Sequence, residues 1–166
     1  MPGQGRKGRS DAFQRKARRE GYRARSTYKL KDIQSKSKIF KSGDIVLDLG
    51  AAPGGWSQVA LEFIGEEGRL IGVDLQHILP LKGATFIQGD LRESEIREQL
   101  QEMIPKADVV ISDMAENTSG NKSLDSYRTG QLCLEAMNLA EKVLSKEGVF
   151  LSKIFMGSIY NEINKK

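Results

Sequence analysis

The sequence predicts an α/β domain built on an open, doubly wound, mostly parallel sheet and preceded by a basic N-terminal extension. Three features predict it. Short apolar runs alternate with helical patterns, the first run opens directly onto a glycine-rich loop, and aspartates recur where the runs end. With 166 residues, 39% of them hydrophobic, the chain can bury one sizeable core and not two.

Residues 1–22 offer little bulky apolar surface beyond Phe13 and Tyr22, too little to repay ordering entropy, and are expected to be disordered or loosely helical. From Ser26 onward, Leu30, Ile33, Ile39 and Phe40 form an apolar stripe that suits a helix of about three turns ending before Ser42-Gly43. Ile45-Val46-Leu47-Asp48-Leu49, bounded by Gly43 and Gly50, reads as a strand buried on both faces. Further strands are expected at Leu70–Val73, Thr85–Ile87, Asp108–Ile111 and Val149–Ile154, with helices between them. The clearest helix spans Ser126–Leu144, with Leu132, Cys133, Ala136, Met137, Ala140, Val143 and Leu144 on one face ahead of a stop at Gly148. Cys133 therefore reads as core packing and not as a nucleophile. A boundary near residues 41–44 separates a basic arm and helix (1–41) from the main domain (42–166).

Charge divides at the same place. Residues 1–41 carry 14 Lys and Arg against Asp11, Glu20 and Asp32, a net +11, whereas the remainder nets −7. Clustered cations displace counterions from a phosphate backbone, so nucleic acid is the leading partner for the arm, with Tyr22, Arg23 and Arg25 as interchangeable phosphate contacts. No run approaches the roughly 18 apolar residues of a membrane span, and no apolar segment follows the N-terminal basic residues. Cys133 alone can form neither an internal disulfide nor a thiolate zinc site, so a cytoplasmic, metal-free monomer is expected.

In a doubly wound sheet the ligand binds beyond the strand ends at the switch point, here the loop Gly50-Ala51-Ala52-Pro53-Gly54-Gly55-Trp56. A dinucleotide fingerprint would need glycine where Ala52 stands, and a P-loop would need lysine where Trp56 stands. An adenosine-bearing cofactor without phosphates, such as S-adenosylmethionine, fits instead. Asp74 lies 24 residues past Gly50, where an acid that binds ribose hydroxyls belongs, and Asp90 lies within reach of the adenine edge. Asp48 and Asp113 can favour the cationic sulfonium and amino group. Any one of these aspartates alone would read as a turn or helix N-cap; four at successive strand ends favour a site.

Asp48-Leu-Gly-Ala-Ala-Pro-Gly-Gly-Trp-Ser-Gln, Gly72-Val-Asp-Leu, Gln88-Gly-Asp-Leu-Arg, Ser112-Asp-Met-Ala, Asn117-Thr-Ser-Gly and Ser152-Lys-Ile-Phe, with Tyr28-Lys29-Leu30 ahead of them, together resemble the FtsJ/RrmJ family of ribosomal RNA 2′-O-ribose methyltransferases from about Arg23 to Gly157. The resemblance implies the class I methyltransferase sheet, S-adenosylmethionine as methyl donor, and a uridine of large-subunit ribosomal RNA, within an assembled or nearly assembled large subunit, as substrate. Of the family's Lys-Asp-Lys-Glu set, Lys29, Asp113 and Lys153 match the first three members, and Gly54, Trp56, Asp74 and Asp90 fall on cofactor-lining positions. The glutamate has no counterpart: it belongs to last strands of the family sheet, which are expected to be absent. Glu116 stands where the family usually has proline.

A ribose 2′-hydroxyl is a poor nucleophile while protonated, so the site must align it in line with the methyl and drain its proton. Lys153 is the candidate base or alkoxide stabiliser, with Asp113 to orient it. Two other functions stay open: an RNA-binding remnant of the family with impaired catalysis, and a methyltransferase acting on protein or small molecules, which leaves the +11 arm unexplained.

Overall fold

A computed structural model of the chain describes residues 4–113 and 122–153. The motif Asn117-Thr-Ser-Gly, Glu116, Ile154, Phe155 and Gly157 lie outside the described residues. The elements are α1 (Gln4–Glu20), α2 (Thr27–Ser37), β1 (Ile45–Leu49), α3 (Gly55–Ile64), β2 (Arg69–Asp74), β3 (Ala84–Gln88), α4 (Ser94–Met103), β4 (Ala107–Ser112), α5 (Lys122–Val143) and β5 (Leu144–Ser152). The five strands pair in the order β3-β2-β1-β4-β5, every pair parallel.

The strand side chains alternate between two apolar layers, as the period of two requires. Leu47, Leu49, Ile71, Val73 and Val110 pack with Leu100 and Ile104 of α4 and its C-terminal end and with Ala136, Leu139, Ala140 and Val143 of α5. Val46, Leu70, Val109 and Ile111 pack on the other face with Leu30 of α2, Phe40, and Trp56, Val59, Ala60 and Ile64 of α3. The helix carrying Leu30 thus shares a core with the sheet. Cys133 is buried, its Sγ 3.2 Å from Ser152 Oγ, in the packing role expected.

Two expectations are corrected. Residues Gln4–Glu20 form a regular helix, α1, packed on the segment that follows it: Ala17 is buried and its carbonyl accepts from Tyr22 N–H, and Phe13 lies with its ring 5.9 Å from that of Tyr28. The helix ahead of β5 does not run through Leu144 to a Gly148 stop, because Leu144 already pairs with Ala107 in the sheet and Gly148 lies inside β5. No helix among the described residues is long and apolar enough to cross a membrane.

Candidate active site

The register places Leu49 beside Val73 on one side and Ser112 on the other, and Ser112 beside Ser152. The residues that follow, Gly50, Asp74, Asp113 and Lys153, therefore share one row on the C-terminal rim of the sheet. The order β2-β1-β4-β5 centres that row on the reversal of strand order between β1 and β4, where an open α/β sheet leaves its crevice. Backbone bonds lock it: Gly50 and Ala51 N–H donate to Val73 O, Asp113 N–H to Leu49 O, and Lys153 N–H to Ser112 O.

Asp48 sits one residue below the row, at a β1 position that faces α3 and is fully buried. Ser57 Oγ, in the first turn of α3, donates to its Oδ2 at 2.6 Å, while Oδ1 has no hydrogen-bond partner among the described residues. Burial pushes the Asp48 carboxyl up to about 7; the Ser57 hydrogen bond opposes that rise, and the Asp113 and Asp74 charges add to it. Three carboxylates converge here, and Lys153 Nζ reaches one of them, Asp113 Oδ1, at 3.7 Å. A buried carboxylate with an unpartnered oxygen next to a second carboxylate is an environment that a cationic ligand group relieves.

Asp74 joins β2 to the glycine loop, accepting from Ala52 N–H at 3.0 Å through Oδ2 and from Gln76 N–H at 2.9 Å through Oδ1. It is half-buried and holds the loop in the position where ribose hydroxyls would approach a strand-end acid. Asp90 follows β3 and is paired with Arg92, whose guanidinium holds its carboxyl below the usual range. Leu75 and Leu79, exposed by 57 and 66%, stand in the loop after Asp74. Sequence reasoning missed this pair; the available signal was large apolar residues next to the strand-end acid Asp74, and exposed apolar side chains of this kind suit the face of a planar ring.

A family model described as FtsJ-like methyltransferase matches residues 22–166. The chain belongs to the FtsJ-like methyltransferase family. Among its relatives are two proteins named ribosomal RNA large subunit methyltransferase E. The one from Acinetobacter baylyi is 47% identical over 158 residues, covering 94% of this chain and 73% of the relative. The one from Pelagibacter ubique is 47% identical over 154 residues, covering 92% of this chain and 75% of the relative. A solved structure described as a ribosomal RNA methyltransferase from Plasmodium falciparum superposes with a TM-score of 0.78 at 29% identity, covering 87% of this chain and 84% of that one. Fibrillarin from Aeropyrum pernix, solved with S-adenosyl-L-methionine bound, shares the fold at a TM-score of 0.56 and 20% identity, over 75% of this chain and 55% of its own.

In this FtsJ-like domain the site residues that the motifs nominated fall into two sets. Asp48, Gly50, Asp74, Asp113 and Lys153 gather around the switch point. Lys29 is exposed in the first turn of α2, and its side chain makes no hydrogen bond or ion pair among the described residues. Trp56 is buried in the α2–α3 layer, and its indole N–H donates to Ser26 O at 3.1 Å, so its ring anchors the arm-side segment to α3. Gly54, at φ +117°, and Gly55 are packed tightly against that same segment: a Cβ at Gly54 would stand 2.8 Å from Arg23 Nη1, and one at Gly55 2.7 Å from Thr27 Oγ1. His77 is an exposed loop residue.

The arm is held by two tyrosines. Tyr28 Oη donates to Glu20 at 2.6 Å beneath Lys16, whose Nζ lies 4.6 Å from the ring centre. Tyr22 Oη donates to Glu62 of α3 at 2.5 Å, with Lys31 Nζ 4.4 Å from its ring, and the two rings meet edge to face at 5.9 Å. Desolvation and hydrogen bonding to glutamate raise both phenols, Tyr28 to about 12. Arg15, Arg18 and Arg19 remain exposed on α1.

Proposed function

We propose that the chain is a cytoplasmic, monomeric S-adenosylmethionine-dependent methyltransferase that methylates the ribose 2′-hydroxyl of a uridine in large-subunit ribosomal RNA, with the large ribosomal subunit as its substrate. The observation that carries this reading is the Lys153–Asp113 pair, 3.7 Å apart on adjacent strand ends, beside the loop above buried Asp48. The names of the relatives support ribosomal RNA as substrate, and the exposed cations of α1 support a polyanion.

The chain's residues divide the work. Asp48, with its unpartnered Oδ1, suits the positive end of the cofactor, and Asp74 the ribose hydroxyls. When bound, S-adenosylmethionine supplies a methyl group on a cationic sulfur. Lys153 Nζ receives the RNA 2′-oxygen, holds it in line and stabilises the negative charge that grows on it, while Asp113 Oδ1 fixes the direction of the amine. The 38% exposed Lys153 side chain leaves the hydroxyl proton a path to water. Lys29 of α2, the match to the first lysine of the family's catalytic set, is assigned to the same catalytic group.

Incubating the chain with radiolabelled S-adenosylmethionine and undermethylated large subunits tests this. Label is expected in an alkali-resistant dinucleotide containing uridine, since a 2′-O-methyl group blocks backbone cleavage. A folded chain that binds cofactor and RNA yet transfers no label would leave it an RNA-binding member of the family. The arm has its own expected result: the RNA binding constant falls steeply with salt, and removing residues 1–22 makes the logarithmic slope shallower by about one unit for each phosphate that the arm neutralises. An unchanged slope in a filter-binding titration would reject the arm as the RNA contact.

A further inference from the structure

Arg23 stands between the arm and the cofactor loop, and its fork is spent on protein. Nη1 donates to Pro53 O at 3.2 Å and Leu79 O at 2.7 Å, and Nη2 donates to Pro80 O at 2.8 Å. Pro53 belongs to the loop between β1 and α3, while Leu79 and Pro80 belong to the loop between β2 and β3 that begins after Asp74. These two loops flank the site, and the guanidinium is the bridge between them. Its own backbone is fixed as well: Arg23 N–H donates to Gln58 Oε1 at 2.8 Å, and Gln58 Nε2 donates to Gly21 O at 3.0 Å, so a side chain of α3 grips the chain on either side of Tyr22. The close approach depends on Gly54 and Gly55, where any Cβ would collide with Arg23 or Thr27. The charge pattern alone makes Arg23 one of several interchangeable phosphate contacts; the geometry gives it a different employment.

We propose that Arg23 is a positioning residue that couples the basic arm to the cofactor loops, so that RNA held on the arm and S-adenosylmethionine held at the loops each strengthen the binding of the other. This rests on the function proposed above. The arm reaches Arg23 through Tyr22, which is pinned to Glu62, and Ser26, which is pinned to Trp56. A ligand that orders the arm therefore orders the same short segment that fixes the two loops, and the linkage is reciprocal. Only a planar guanidinium can present two nitrogens to three carbonyls in this way; an ammonium is a single point donor.

The test is calorimetric binding of S-adenosylmethionine to the full chain, with and without large-subunit ribosomal RNA. The expected results are that Arg23→Ala weakens cofactor binding by about tenfold, that RNA tightens cofactor binding in the wild type and no longer does so in the variant, and that KM for the cofactor rises more than kcat falls. Arg23→Lys fails to restore the affinity. Exposed Arg25→Ala weakens RNA binding and leaves the cofactor Kd in place. Should Arg23→Ala lose its far-ultraviolet circular dichroism, Arg23→Lys and Gln58→Ala carry the same comparison. Wild-type cofactor affinity in the folded variants would overturn the coupling alone. A wild type that binds no S-adenosylmethionine would overturn the proposed function and the coupling with it.

Discussion

Replacing Lys153 by alanine is expected to lower kcat for methyl transfer by about a hundred- to ten-thousandfold, while the S-adenosylmethionine Kd stays within about a factor of two. The reason is geometric. Lys153 is placed by a backbone bond from its own N–H to Ser112 O and by the ion pair to Asp113, on the side of β4 away from the glycine loop. Removing its amine therefore removes the group proposed to meet the RNA oxygen and leaves the Asp48–Ser57 bond and the Asp74 bridge as they were. Asp113→Asn is expected to cost less, because the amine stays, and the double variant is expected to be no worse than Lys153→Ala, since the two act as a unit. Single-turnover methyl transfer with equilibrium dialysis of the cofactor separates the terms. A Lys153→Ala enzyme with wild-type kcat would remove this lysine from the chemistry.

The second large effect comes from Asp48. Its carboxyl lies at about 7 in the folded chain against 3.8 for an unperturbed aspartate, chiefly through burial. Between those values the folded state holds a proton that the unfolded state has lost, so the stability of the ligand-free protein falls as pH rises from about 4 to about 7 and is flat above that. The full difference is on the order of 4 kcal/mol. Asp48→Asn is expected to abolish this slope in urea unfolding, making the variant more stable than the wild type at pH 8 and nearly equal to it at pH 4. Cofactor binding should move the opposite way. A cation favours ionised Asp48, so wild-type affinity rises by about tenfold from pH 6 to pH 8 with release of a proton, and the variant binds weakly at both. Among the described residues, the charges facing Asp48 are those of Asp74 and Asp113, and its hydrogen-bond donor is Ser57. The His77→Gln variant is the control, because histidine is the other side-chain type that changes charge in this range.

The sheet was legible because its strands are buried on both faces, so runs such as Ile45–Leu49 and Asp108–Ile111 stand out as continuous apolar segments between glycines and polar turns. Asp48, Asp74 and Asp113 were legible for a related reason: a carboxylate that ends or interrupts such a run has no packing role to explain it. What escaped was whatever depends on distant partners. The order of α1 is supported by Glu62, forty residues past Tyr22, and by tilted and edge-to-face ring contacts across the α1–α2 junction. Arg23 read as a surface cation because its acceptors are backbone carbonyls, which carry no signal in a side-chain sequence. The bond from the Trp56 indole N–H to Ser26 O escaped for the same reason. The helix–strand boundary at Leu144 was missed because an apolar residue at the end of a helical stripe suits a sheet equally well.

The two tyrosine clasps have one more consequence. A 17-residue helix is a rod of about 25 Å, and this one is fastened at its end to the body that carries Lys153, so it works as a ruler. On the proposed function, phosphates held by exposed Arg15, Arg18 and Arg19 would sit at a set distance from the reacting oxygen. Only an RNA folded so that a backbone segment and a target ribose lie that far apart satisfies both ends at once. On the proposed function, such a span would select a target by its distance from a phosphate segment and not by base identity.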